Sequence, residues 1–440
     1  MPFDPGPAAW NELLPAAQHH RELDESLTVD VVVIGAGFAG LSAARRLKQL
    51  DPSVSVALVD ARRVAQGPAG RNSGFMIDLP HHLASSDYAG QQTADREQTR
   101  MNREAIDFAR NVVESFDLED EAFSLTGKIN AAATEKGDLH NRAYANHLSD
   151  MGEDFRLLDG QQMKEICGSS YYRSGLFTPG TAMLQPALYI RGLADGLARQ
   201  DGVNIFENSP VLTVTRKQNG VEITTEKGKV SAGAAVLAVN GHVQSFGYFP
   251  SRLMHIYLYA SMTRQLTDDE VAGLGGTDNW GFTPADPMGS TVRRISGTWG
   301  TRLIIRNRFS WAPGRTIGEQ VLKPVARTHD ATFAARFPGL SHVSMEYRWG
   351  GLLCLSLNTV PAFGKLEAGI FSACCQNGLG TAMGTLSGKL CAELILGHTS
   401  RSLDHMLSFP EPRRLPPEPF ASIGANARMR WGEWRAGREL

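Results

Sequence analysis

Three short stretches of this chain carry residues whose types and spacing could do chemistry. The first is Gly35-x-Gly37-x-x-Gly40, directly after the apolar run Val29 to Ile34. The first glycine permits a sharp turn, the second lets a pyrophosphate approach the main chain, and the third lets a helix pack close to the strand. With Phe38 and Ala39 between them, these glycines open a helix whose N–H groups and positive dipole end favour phosphate. Asp60 lies 20 residues past Gly40 and ends the apolar run Val54 to Val59. A carboxylate there accepts hydrogen bonds from adenosine ribose hydroxyls and disfavours a 2′-phosphate. Ala61 and Arg62 adjoin it. The plainer alternative for Asp60 is a charge capping a strand end. A turn of this kind serves either NAD or FAD.

The second stretch is Gly67-Pro68-Ala69-Gly70-Arg71-Asn72-Ser73-Gly74-Phe75. Two tight turns containing Asn and Ser would let main chain lie against a large planar ligand, although alone they also suit an ordinary loop. The third is Asn377-Gly378-Leu379-Gly380-Thr381, which opens a helix running to Leu396. The partial positive charge of that helix start would stabilise negative charge gathering on a ligand, as an oxyanion hole does. The competing reading is a glycine turn made for packing.

The elements that must hold these stretches follow from periodicity. Val29 to Ile34, the helical stretch to Leu50 and Val54 to Val59 form a βαβ unit. Residues 94–116 carry one apolar stripe, Met101, Ala105, Ile106, Ala109, Val112, Val113 and Phe116, and predict an amphipathic helix. A helix is expected over Leu188 to Arg199. Strands are expected near Val203–Phe206, Val211–Arg216, Val221–Glu226, Ala234–Val239 and Gly369–Cys374. Asn240-Gly241 would turn after the fourth of these. Residues 1–27 read as a loose polar arm, 250–345 as short strands and turns, and Pro410–Pro419 as an extended tail, with a basic, aromatic stretch in the last residues after it.

Composition bounds the class. With 440 residues, two domains are expected, and 42% apolar with 20% charged residues is ordinary for a globular chain. A formal charge of −2 argues against nucleic acid as a main partner. The five cysteines, Cys167, Cys354, Cys374, Cys375 and Cys391, are odd in number and lack zinc-site spacing, so reduced core thiols, a cytoplasmic location and no metal are expected. There is no signal-peptide run, no apolar stretch long enough to span a membrane and no internal repeat.

The three stretches together resemble the D-amino-acid oxidase family of flavoenzymes, the group of glycine oxidase and sarcosine oxidase. The resemblance is strongest to the branch of gamma-glutamylputrescine oxidase. It rests on the N-terminal glycine motif, on Gly67 to Gly74, on Trp349-Gly350-Gly351 with Pro361-Ala362-Phe363-Gly364, and on Asn377 to Gly380, in matching order over roughly residues 28–400. It implies an α/β (α+β overall) fold. A Rossmann-type FAD-binding domain (1–90, 184–245, 346–440) would be interleaved with a discontinuous substrate domain (91–183, 246–345) on a mixed or antiparallel sheet. It implies that Gly35, Gly37 and Gly40 hold the pyrophosphate and Asp60 the ribose. Arg71, Asn72 and Ser73 would lie near the ribityl chain and flavin, the Val211 main chain would meet adenine, and Asn240 would lie near the cofactor. Some relatives tether the flavin through a His in the early loop or a Cys before the last helix. The loop here has neither and no cysteine clearly matches, so non-covalent FAD is expected. Relatives often carry a His where this chain has Gln376-Asn377.

The implied reaction is hydride loss from the carbon beside the nitrogen of a small amine or amino acid, followed by hydrolysis of the imine. The electrons would pass to oxygen or a quinone. A carboxylate on such a substrate would suit an arginine fork, with Arg293, Arg294, Arg306, Arg308 and Arg348 as candidates, Arg306 and Arg308 sharing one strand face. Each is also an ordinary surface charge. Met76, Asp78, His81 and His82 could line the pocket, Tyr257 and Tyr259 could wall it or be core, and Lys365 could sit near the flavin. Trp431 and Trp434 suit packing or a homo-oligomer contact. Two other readings remain: a 2-hydroxy-acid or polyol dehydrogenase, disfavoured mildly by the lack of a hydrophobic docking segment, and a non-catalytic FAD-binding protein.

Overall fold

The computed structural model describes residues 3–17, 19–80 and 89–440. Two large sheets and one small one organise them. The first is wound around Ser26–Ile34, whose β-branched run pairs in parallel with Val56–Val59 on one side and Lys229–Leu237 on the other. Asn204–Phe206 extends it in parallel beyond Val56–Val59. The far edge of Lys229–Leu237 is shared, first by the hairpin strand Gly220–Thr224 and then by Ile370–Cys374, which pairs in parallel and brings in Ala362–Glu367. Both faces of the central strands are buried, which is why they read as unbroken apolar runs. The helices Phe38–Leu50, Gln92–Phe116, Pro186–Gln200 and Ala382–Ile395 pack into one core with it.

The second sheet has eight strands in the order Met345–Ser356, Leu253–Thr263, Arg302–Trp311, Thr291–Ile295, Trp280–Pro284, Lys128–Ala132, Ser174–Thr178, Arg156–Asp159. All neighbours are antiparallel except Lys128–Ala132 with Trp280–Pro284, so the sheet is mixed. Helix Leu322–Arg336 covers one of its faces through Tyr257, Tyr259, Val325 and Leu352. A three-stranded sheet of Phe75–Met76, Ala182–Leu184 and Phe123–Leu125 lies between the two large ones in chain connectivity.

Two expectations need correction. The N-terminal arm is not loose. It forms a short helix, Ala9–Glu12, and Trp10 is 1% exposed in the main core. Its indole donates to Asn72 O (2.8 Å), and its own carbonyl accepts from Gln185 (2.7 Å). A single buried tryptophan outweighs the polar composition around it. The 250–345 region holds strands of 11 and 10 residues and a 15-residue helix, longer than short strands and turns. That helix has a weakly segregated apolar face, and periodicity therefore hides it. Pro410–Pro419 carries neither helix nor strand, and the basic, aromatic stretch after it forms the helix Phe420–Ala436.

Candidate active site

At the first glycine turn, Gly35 adopts φ +106°, and a Cβ there would meet Ala238 O at 2.6 Å. A Cβ on Gly40 would stand 1.8 Å from Gly35 O, so Gly40 sets the close approach of helix to strand. Gly37 is the N-cap, with only the Ala69 methyl within contact range of an added Cβ. Asp60 binds the turn from beneath. Its Oδ2 accepts from Ala36 N (2.7 Å) and its Oδ1 from Arg62 N (2.8 Å). Burial pushes this carboxyl above its usual range, and the two N–H donors pull against that shift.

The second stretch folds onto itself and onto the N-terminal arm. Asn72 donates to Ala69 O (2.6 Å) and accepts from Gly74 N (2.8 Å). Arg71 donates through Nε to Gly350 O (2.7 Å) and through Nη2 to Pro5 O and Gly6 O (2.8 and 2.6 Å). Trp349 returns a bond from its indole to Arg71 O (3.0 Å). Arg71 is thus a clamp between main chains, and Gly350 leaves room for the arm, because a Cβ there would meet Pro5 at 2.9 Å. Beneath the loop, Arg293 is buried among Trp10, Phe75, Ser73 O and Leu184 O. Burial pushes its guanidinium down to about 9, which leaves it a cation at neutral pH.

At the third stretch the chain leaves Ile370–Cys374 through Cys375, Asn377 and Gly378, all at positive φ. Asn377 Oδ1 accepts from Ser356 N (2.8 Å) and Thr381 Oγ1 donates to Phe75 O (2.7 Å), tying the second large sheet and the small sheet to the start of helix Ala382–Ile395. Gly388 of that helix would put a Cβ 1.9 Å from Ala39 O, so two glycine-opened helices lie against each other. Asn240, at φ +49°, accepts from Cys375 N (3.2 Å).

All three stretches line one continuous cavity of 2020 Å³. Small-ligand pockets occupy roughly 300–1,000 Å³, so this one has room for a dinucleotide and a small substrate together. Phe38, Ala39, Ala61, Arg62, Val211 and Leu379 line it. Gly40, Gly70, Gly74 and Gly241 do not; in each a Cβ would strike neighbouring protein atoms, so they act by packing. The glycine turn, the enclosed Asp60 and the helix start at Thr381 fit an FAD, which these residues would hold.

The cavity wall also includes Met254, Ile256, Leu258, Phe309 and Trp311, together with the polar side chains of Lys136, His140, Thr283, Asp286 and Thr291. Of the five candidate arginines only Arg306 lines it, its Nη1 donating to Thr291 Oγ1 (3.3 Å). Arg293 lies under the floor. Arg294 bonds Gly275 O (2.6 Å) and Arg348 pairs with Asp330 (2.6 Å), both away from the cavity. Arg306 and Arg308 do not share a face. The register shifts at Leu258/Tyr259, Arg308 takes φ +63° at that irregularity, and it pairs with Glu433 (2.6 Å) instead.

Met76 is core, while its neighbours Phe75 and Ile77 line the cavity, as strand alternation requires. Asp78 is buried against Arg103 and Thr181. Tyr257 donates to Phe3 O and lies outside the cavity; Tyr259 touches the cavity from the same buried cluster. Lys365 is exposed and does not line the cavity. His81 and His82 lie outside the described residues. The five cysteines are free and buried. Cavity residues absent from the sequence reading include His242, which burial pushes down to about 4, Lys136, His140, Arg315, and Arg428 and Arg435 of the last helix. His242 follows the Asn240-Gly241 turn directly, a signal that was legible; the helix residues needed the long-range fold.

Comparison with known proteins bears on the family and the fold. The family model DAO, FAD dependent oxidoreductase, matches residues 30–394. Among curated proteins, the chain is 27% identical over 380 residues to the probable oxidoreductase OrdL of Haemophilus influenzae, covering 84% of each. It is 26% identical over 418 residues to gamma-glutamylputrescine oxidoreductase of Escherichia coli, covering 92% of each. Among solved structures, glycine oxidase from Geobacillus kaustophilus superposes with TM-score 0.72 at 16% identity, over 89% of this chain and 100% of that one. L-amino acid deaminase from Proteus myxofaciens superposes with TM-score 0.68 at 15% identity, over 91% and 95%.

Proposed function

The chain belongs to the DAO family of FAD dependent oxidoreductases, and from that premise we propose that it oxidises the C–N bond of a small primary or secondary amine or amino acid. The observation that carries the reading is the continuity of one cavity from Asp60 and the glycine turn to the strand wall that carries Arg306. Relatives named for gamma-glutamylputrescine and glycine oxidation support the amine class.

In this reading Asp60 would hold the adenosine ribose, Gly35 and Gly37 would admit the pyrophosphate, and the amide groups at Gly378–Thr381 would favour negative charge on the ring system. The bound flavin supplies the two-electron acceptor. Arg306 would hold an anionic group of the substrate while Met254, Ile256, Leu258 and Trp311 exclude water around its chain. The amine would enter neutral, and burial holds the cavity residue His242 neutral at pH 7. Water then hydrolyses the released imine. We further propose non-covalent FAD, because the loop Gly67–Gly74 has no His or Cys, and a reducing compartment such as the cytoplasm, because every thiol is unpaired. The electrons would leave to oxygen or a quinone.

An anaerobic absorbance titration with amines, N-methyl amino acids, D-amino acids and 2-hydroxy acids tests the reading. Bleaching of the flavin band by an amine supports it, and reoxidation in air identifies oxygen as an acceptor. Bleaching by hydroxy acids alone overturns it in favour of the dehydrogenase. Precipitation with acid tests the attachment: colour remaining in the pellet refutes non-covalent binding.

A further inference from the structure

The helix Phe420–Ala436 has two faces of opposite use. Ala425, Met429, Gly432 and Ala436 face the protein, and the buried Glu433 takes ion pairs from Arg308 (2.6 Å) and Arg430 (3.0 Å). Trp311 donates to Ser422 (2.9 Å) on the same side. The outward face carries Phe420, Ile423, Ala427, Trp431 and Trp434, spaced three, four, four and three residues apart, which is one helical stripe. Its large members are 67%, 62%, 57% and 77% exposed in the order Phe420, Ile423, Trp431, Trp434. At 100° per residue the stripe is centred on Ala427, with Arg428 and Arg435 along one flank and Arg430 along the other. The helix contains one acid, Glu433, and that acid points inward.

We propose that this helix is a docking element for the surface of an anionic lipid bilayer, lying in the plane of the interface. An outward stripe of Trp, Phe and Ile flanked on both sides by arginines suits the boundary between acyl chains and headgroups. The rings enter the apolar layer and the guanidinium groups reach lipid phosphates. Charge selects this occupant over a second copy of the chain. Two such helices packed stripe to stripe would set arginine flanks against arginine flanks, without an exposed acid on either helix to neutralise them. The helix spans about 26 Å, enough to anchor reversibly and too little apolar length to cross; among the described residues no helix is long and apolar enough to cross a membrane. Trp431 and Arg435 also line the cavity. Docking would therefore place one opening of the cavity at the lipid surface, within reach of a lipophilic electron acceptor. The proposal stands on the helix alone and does not depend on the amine reading.

Sedimentation of the full chain with vesicles tests it, using phosphatidylcholine alone and an equal mixture with phosphatidylglycerol. The wild type is expected to sediment with the anionic vesicles and not with the neutral ones, and to be released as salt rises from about 0.1 M to about 1 M. Ile423→Gln with Trp434→Gln, two exposed positions outside the cavity wall, is expected to weaken binding at least about tenfold while flavin absorbance and the melting temperature stay unchanged. Failure of the wild type to bind anionic vesicles overturns the proposal, as does equal binding by the double variant. A concentration-dependent dimer in ultracentrifugation that the same double variant abolishes also overturns it, in favour of a contact between copies.

Discussion

Replacing Asp60 by Asn should separate the two tasks of that residue. The side chain keeps its size but loses its charge and one acceptor. In the structure each oxygen is already committed, Oδ2 to Ala36 N at 2.7 Å and Oδ1 to Arg62 N at 2.8 Å. Asparagine offers one oxygen, so one of the two main-chain donors must face an NH2 group. An unsatisfied buried donor costs about 1–3 kcal/mol. Part of that is returned, because burial already penalises the anion, as the upward displacement of its titration indicates. The apoprotein should lose no more than about 2 kcal/mol. Cofactor affinity should suffer separately. Hydrogen bonds to a charged acceptor contribute about 1.5–3 kcal/mol, against about 1 for neutral ones. A loss of about 2 kcal/mol is roughly thirtyfold in Kd. Titrating FAD into the two apoproteins and following flavin fluorescence measures this directly, and a thermal melt of each apoprotein measures the stability part. If the Asn variant binds FAD within about threefold of wild type, under 1 kcal/mol, the ribose assignment is wrong and Asp60 serves only to cap the turn.

Three further outcomes follow from the same geometry. Trp10→Ala should cost roughly 3–5 kcal/mol in urea unfolding, since the side chain is 1% exposed and its indole supports the loop at Asn72; a loss below about 1 kcal/mol would restore the picture of a loose arm. Arg306→Met should raise KM for an anionic amine substrate by about ten- to a hundredfold and leave FAD affinity unchanged, whereas an unaltered KM would remove Arg306 from substrate binding. Lys128 is buried beside Asn130 and Thr283, and burial pushes its ammonium from 10.5 down to about 8. Between those values the unfolded chain keeps a proton that the folded chain has released. The destabilising contribution is therefore full below pH 8 and is relieved as pH rises, by up to about 3 kcal/mol. The stability of wild type relative to Lys128→Met should accordingly climb between about pH 8 and about pH 10, and parallel profiles would contradict it.

The local motifs were legible in the sequence because each is a constraint on consecutive residues. Gly35, Gly37 and Gly40 read as a phosphate turn since no other residue tolerates φ +106° at the first or an approach of 1.8 Å at the third. The helices at Phe38, Gln92 and Ala382 and the buried strands around Ser26–Ile34 follow from hydrophobic period alone. The order of Asp60, the Gly67–Gly74 loop and the Asn377–Thr381 turn carried the family and its cofactor.

Which arginine reaches the cavity was decided only by the tertiary structure. Five arginines satisfy the same chemistry, and one register irregularity, at Leu258/Tyr259, turns Arg308 toward Glu433 and leaves Arg306 on the cavity wall. The role of Arg71 was likewise hidden. Its partners Pro5, Gly6 and Gly350 lie 66, 65 and 279 residues away, and no local pattern predicts such a meeting. The last helix shows the same division in one element. The spacing of Phe420, Ile423, Trp431 and Trp434 was written in the sequence, but a stripe of that period normally faces a core. Here Glu433, paired with Arg308 across 125 residues, turns it outward. Sequence sets what each segment tends to bury, and long-range pairing decides which face it does bury, because only the assembled chain supplies the partner that a buried charge requires.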